Sequence, residues 1–190
     1  MTKNNYLTTI LAMTVLVTVV GTSQLQPADA VHNWFQPKWA TSSHTYDCLS
    51  SLNNLSTSYI NTCDDLQNAA DVWNNVVNSD WDLNESGSGE IPIGSQNLAT
   101  GTIALTTTWV TGSTVTQNQL DFNTDHTFTD SNIATSGYDY ESIAVHEIGH
   151  FLHLNEEYVN SSSPMYYTIG EDTVRRTLAQ HDIDVIRDMY

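Results

Sequence analysis

One stretch, "AVHEIGHFLHLNEE" at residues 144–157, limits the possible folds more than any other part of the chain. Ala144, Ile148, Phe151 and Leu152 recur at helical spacing, so the segment must form a helix with one face in a core. Asp139 suits the N-cap, and the spacing predicts a helix from about Tyr140 to Leu154. His146 and His150 fall four residues apart on another face, with their Cβ atoms about 6 Å from each other. Two imidazoles so placed can reach one zinc ion at about 2.0–2.1 Å each. Glu147 completes the pattern H-E-x-x-H. It stands beside the first histidine and can take a proton from water at the metal's open position. The fold must therefore bury one side of this helix and open the other to solvent.

A catalytic zinc needs a further protein ligand as a rule. His153 lies on the same face, but the helical rise puts its Cα about 10.5 Å from that of His146. Both rings would have to span that gap to one ion. His153 is read instead as a helix-end residue, favoured there by the helix dipole.

The N-terminus predicts a secretory signal over residues 1–30. A polar start carries Lys3, an apolar run fills residues 7–20, and Ala28-Asp29-Ala30 fits a small-x-small cleavage site. The run is shorter than the roughly 20 apolar residues needed to span a bilayer. No second such run follows, so the chain after cleavage is expected to be exported, with no membrane insertion. Cys48 and Cys63 then suggest one disulfide.

The net charge of −17 arises from 22 acids against only 5 bases. Nucleic-acid binding needs a basic footprint and is excluded, and anionic membrane surfaces are disfavoured for the same reason.

Residues 31–45 read as an extended entry segment with aromatic anchors. Leu66, Ala69 or Ala70, Trp73 and Val76 or Val77 predict a helix near 62–78, with Asp64 and Asp65 in its first turn. The acidic stretch after it holds Asp80, Asp82, Asn84 and Glu85. Without complete EF-hand spacing it reads as a solvated loop rather than a calcium site. "GTIALTTTWV" and "VTQNQLDFN" predict two strands joined at "TGST". A last helix is expected from about Asp172 to Met189, with Leu178, Ile183, Ile186 and Met189 on its apolar face. The order of elements implies an α+β fold with a mixed sheet, in one domain over 31–190.

"HEIGHFLHLNE" followed by "SSSPMYY" resembles the metzincin clan of zinc peptidases, with its H-E-x-x-H-x-x-G-x-x-H pattern and methionine turn. Within the clan the chain is most similar to the matrixins. "NAADVWNNV" is similar to their first helix and "GTIALT" to their edge strand, Gly-x-Leu-Ala-His-Ala. "FNTDHTFT" resembles Phe-Asp-x-Asp-Glu-x-Trp-Thr, and "LAQHDIDVIRDMY" the closing helix. The resemblance implies a twisted mixed sheet with two long helices and a small C-terminal subdomain holding the methionine turn and closing helix. It implies a secreted, monomeric zinc metalloendopeptidase that binds an extended peptide along Gly101–Trp109. His146 and His150 would be zinc ligands, Glu147 the general base and Met165 the residue beneath the metal. Tyr167, in a Ser-x-Met-x-Tyr arrangement like that of astacins, is a candidate oxyanion stabiliser. The alternative is a metzincin-shaped binding or cell-envelope protein without catalysis.

The departures are specific. Glu156 stands where the family has its third histidine. A carboxylate is chemically admissible there, since zinc accepts Glu oxygen at about 2.0–2.2 Å. Glu157, Glu171 or another group remain open as alternatives, as does a site with only two protein ligands. His153 replaces the glycine that turns the chain, which predicts a non-glycine residue at positive φ. Leu105 and Asp121 stand at structural-zinc positions, so one catalytic zinc and no second is expected. Asn123 and His126 replace structural-calcium acids, which leaves Ca2+ only a possible ion. No cysteine-bearing prosegment is expected between the signal and residue 31.

Overall fold

The computed structural model describes residues 37–58, 61–130 and 136–190. The expected signal, the start of the entry segment and part of the loop at 129–139 lie outside the described residues.

Five strands form the main sheet: β1 (Ser43–Cys48), β3 (Asp82–Glu85), β4 (Ile91–Gln96), β5 (Ala104–Thr111) and β6 (Thr114–Asn123). Their order is β3-β1-β4-β6-β5. All neighbours are parallel except β5, which pairs antiparallel with β6 and forms one edge. The β5–β6 hairpin turns at Gly112, whose φ of 65 suits glycine. A small parallel sheet joins β2 (Ser56–Ser58), β7 (Thr127–Thr129) and β8 (Tyr138–Asp139). The α+β expectation with a mixed sheet is met.

Helix α1 (Thr62–Asn74) buries Leu66, Ala69, Ala70 and Trp73, as the periodicity predicted. It ends earlier than expected: Val76 is buried beyond its end, while Val77 is exposed. Helix α2 (Tyr140–Phe151) buries Ala144, Ile148 and Phe151 together with Ile143 and Val145, more of its surface than one stripe. Trp73 Nε1 donates to Val145 O at 2.9 Å, locking α1 against α2 through a buried polar contact. Tyr46, Leu83, Ile91, Ile93, Leu120 and Phe122 of the sheet join these residues in one core.

Two expectations are corrected. The acidic segment is not all loop: Asp82–Glu85 forms β3, paired with β1 and fixed by Leu83 in the core and by Asn74 Oδ1, which accepts from Leu83 N at 2.8 Å. The last helix does not begin near Asp172, whose φ is 57. Helix α3 runs over Gln180–Met189, and Asp182 Oδ2 accepts the N–H of Ala179 at its start.

Cys48 and Cys63 are joined as expected, tying the end of β1 to the first turn of α1. Closing a loop of this length stabilises a fold by about 3 kcal/mol.

Candidate metal centre

Asp139 caps α2, accepting from Ser142 N at 3.0 Å. Arg176 reinforces that cap, donating from Nε at 2.9 Å and reaching Asp130 and Glu141 as well. The other end of α2 is gripped by Trp39 Nε1 and Asn118 Nδ2, which donate to Phe151 O at 2.9 and 3.0 Å. The helix bearing the histidines is thus held at both ends.

The chain then turns through His153 at φ 65. Leu154 N donates to Gly149 O and His153 N to His150 O, the paired bonds of a Schellman motif with histidine at the left-handed position. Helix α2 ends at Phe151, short of the expected Leu154, because His153 takes the left-handed turn, and His153 lies outside the group that converges below.

His146, His150 and Glu156 come together, with a potential ligand atom of each within 4.8 Å of the others. His146 Nδ1 donates to Pro164 O at 2.7 Å and His150 Nδ1 to Leu154 O at 2.8 Å. Both Nε2 atoms therefore face inward, 3.1 Å apart. Two nitrogens bound tetrahedrally to one zinc would stand about 3.3 Å apart, given bonds near 2.0–2.1 Å. Glu156 Oε2 lies 3.7 Å from His146 Nε2, and its Oε1 lies 3.7 Å from His150 Nε2. The Oε2 atom of Glu156 is buried and has no hydrogen-bond partner among the described residues, an arrangement that costs free energy unless a cation completes it. The residues fit a zinc ion.

The electrostatics agree. Burial pushes the Glu156 carboxyl up, but the two imidazoles outweigh it and hold the group at about 2. Burial depresses His146, but Glu156 and Glu147 outweigh it and raise the ring to about 9. The pocket favours positive charge.

Glu157, the alternative, is occupied elsewhere: its Oε1 accepts from Val159 N and Asn160 N. Glu171 accepts from Ser136 Oγ. Met165 is buried against α2, as the methionine turn implied. A Cβ on Gly149 would lie 2.2 Å from Met165 Sδ and 2.9 Å from Trp73 Cζ2, so only glycine admits this packing. Ser163 fixes the turn, accepting from Met165 N while donating to Asp182 of α3. Tyr167 N donates to Glu157 O, and its ring stacks on Tyr158 at 5.1 Å.

Glu147 is 7% exposed, and its Oε2 accepts from Thr106 Oγ1 of β5 at 2.7 Å. Nothing local to either segment signals this contact, which depends on how β5 lies beside α2. Where structural calcium acids were expected to be replaced, Asn123 holds the loops directly. Its Oδ1 accepts from Leu98 N and Asp125 N, and its Nδ2 donates to Thr102 O. His126 Nε2 contacts the same carbonyl at 3.1 Å.

A helix carrying H-E-x-x-H, a carboxylate returning after a tight turn and a buried methionine packed on that helix, beside a sheet with an antiparallel edge strand, define a candidate metal centre of the zincin type. The family model of the matrixins matches residues 38–190, and the chain belongs to that family. A 56-residue stretch is 48% identical to Metalloendoproteinase 1 of Glycine max. The stretch covers 30% of this chain and 18% of the soybean protein.

Proposed function

We propose that this chain is a secreted zinc endopeptidase, with His146, His150 and Glu156 holding the metal and Glu147 as general base. The buried Oε2 of Glu156, without a hydrogen-bond partner among the described residues and beside two inward-facing Nε2 atoms, carries the reading. When bound, zinc supplies Lewis acidity that polarises the scissile carbonyl and lets water lose a proton near neutral pH. The backbone carbonyls of Pro164 and Leu154 fix the tautomers of the two histidines. Glu147 accepts the water proton and delivers it to the leaving amine. Tyr167 is assigned to donate a hydrogen bond to the developing oxyanion. The substrate lies extended along β5, the edge strand, and pairs through its backbone. Among the described residues no helix is long and apolar enough to cross a membrane. Export rests on the signal at residues 1–30, and the matrixin relationship supports it.

Casein hydrolysis tests this. Chelator abolishes the activity, and Glu147→Ala slows it by at least about a hundredfold while zinc is retained. Glu156→Ala loses zinc, and Glu157→Ala keeps it. A wild type no faster than Glu147→Ala would end the protease reading. Full zinc content in Glu156→Ala would move the third ligand elsewhere.

A further inference from the structure

We propose that Thr106 is a positioning residue for the general base, an inference that rests on the role assigned to Glu147 above. Thr106 lies within β5, paired with Leu120 of β6. Its Oγ1 stands 2.7 Å from Glu147 Oε2 and 3.1 Å from Glu147 O. A hydroxyl has one proton to give. The shorter contact and the charge of the acceptor direct it to the carboxylate.

Two consequences follow for the base. Glu147 Oε2 is engaged, while Oε1 makes no hydrogen bond to any described residue. One oxygen is held against the strand and the other is left to meet water. The carboxylate plane is thereby set before substrate arrives, which is the source of orientation advantage in proton transfer. Threonine suits the task because β-branching stiffens χ1 and fixes where the hydroxyl points.

The same contact joins the base to the substrate's strand. Thr106 is the third residue of the edge strand to which a peptide would add, so its backbone position and the carboxylate's orientation are linked. The matrixin-like pattern Gly-x-Leu-Ala-His-Ala, aligned from Gly101, has alanine where this chain has Thr106.

The test is steady-state cleavage of fluorescein-labelled casein by the zinc-loaded protein and its Thr106→Val, Thr106→Ser and Glu147→Gln variants. Zinc content and thermal unfolding are measured on each. Valine keeps the shape and the branching but loses the hydroxyl. Thr106→Val is expected to lower kcat on the order of tenfold with KM within about twofold. Thr106→Ser restores kcat to within about threefold of wild type, and both variants keep wild-type zinc. Equal losses in Thr106→Val and Thr106→Ser would overturn the proposal, because packing of the methyl would then be the cause. A rise in KM with kcat unchanged would overturn it too, because the effect would lie in substrate binding. If Glu147→Gln is inactive while Thr106→Val matches wild type, the clamp fails and the base stands. If Glu147→Gln matches wild type, the assignment of the base itself fails.

Discussion

His153 occupies a conformation that L-residues avoid, and it does so at the point where the chain leaves α2 for Glu156. Its φ of 65 places it in the left-handed region, where Cβ crowds the following carbonyl at a cost of about 1–2 kcal/mol. The Schellman bonds around it fix that conformation, so the residue cannot relax without unmaking the turn. His153→Gly should therefore be stabilising, although glycine usually weakens a helix end through its unfolded-state entropy. A gain of about 1 kcal/mol corresponds to a rise in Tm of roughly 2–4 °C for a chain of this size. Calorimetry of the zinc-loaded protein measures it, and a fall in Tm would mean that contacts of the imidazole outweigh the backbone term. The positive φ was legible in the sequence because the turn needs a glycine-like residue. The choice between Glu156 and Glu157 was not. Both are two-carbon carboxylates in one loop, and only the fold shows Glu157 bonded to the backbone of its own turn.

Element ends were harder to read than element identities. The apolar periods of α1 and α2 are local, and they identified Leu66, Trp73, Ala144 and Ile148 as buried. Strand β3 has a single buried residue, Leu83, among polar neighbours, and its partner β1 lies far back in sequence. Nothing local signals such a pairing. The apolar spacing predicts helix over residues 172–179, but they stay irregular because tertiary partners use their polar groups: Arg175 N donates to Ser142 Oγ, and Arg176 reaches back to the cap of α2. That cap carries a pH dependence. Burial raises the Asp139 carboxyl, but hydrogen bonds from Arg176 and Ser142 outweigh it and leave the group below its ordinary value. A depressed folded pKa means stabilisation that is complete above the unfolded value, about 3.9. It is lost as pH falls through the lower folded value. Asp139→Asn keeps a capping oxygen but leaves Arg176 short of a buried partner, and should cost about 3 kcal/mol at pH 7. In urea titrations the wild-type and variant stabilities converge below about pH 4. A constant gap down to lower pH would show that the loss is one of shape rather than charge.

At the scale of the whole molecule the scarcity of bases sets how stability responds to salt. Removal of residues 1–30 would leave the formal charge at −17, since that stretch carries Lys3 and Asp29. Lys38 donates to Met189 O, Arg175 to Thr168 O and Arg187 to Val77 O, and Arg187 also pairs with Asp184 at 3.8 Å on the surface. Arg176 is committed to the acids around the α2 cap. Salt weakens surface ion pairs, yet it also screens the repulsion among unpaired acids, which opposes the compact state. With so few pairs to lose, the second effect should win. Raising NaCl from about 10 mM to about 0.5 M shrinks the screening length from about 30 Å to a few Å, so most acid–acid repulsion is removed over that range. The Tm of the zinc-loaded protein at pH 7 should rise by several degrees, equivalent to about 1–2 kcal/mol. Most of the gain should come below about 0.2 M, where the Debye length changes fastest. A Tm that falls with added salt would show that the Arg176 cluster dominates the electrostatics of the fold, and the Asp139→Asn variant would then lose that fall.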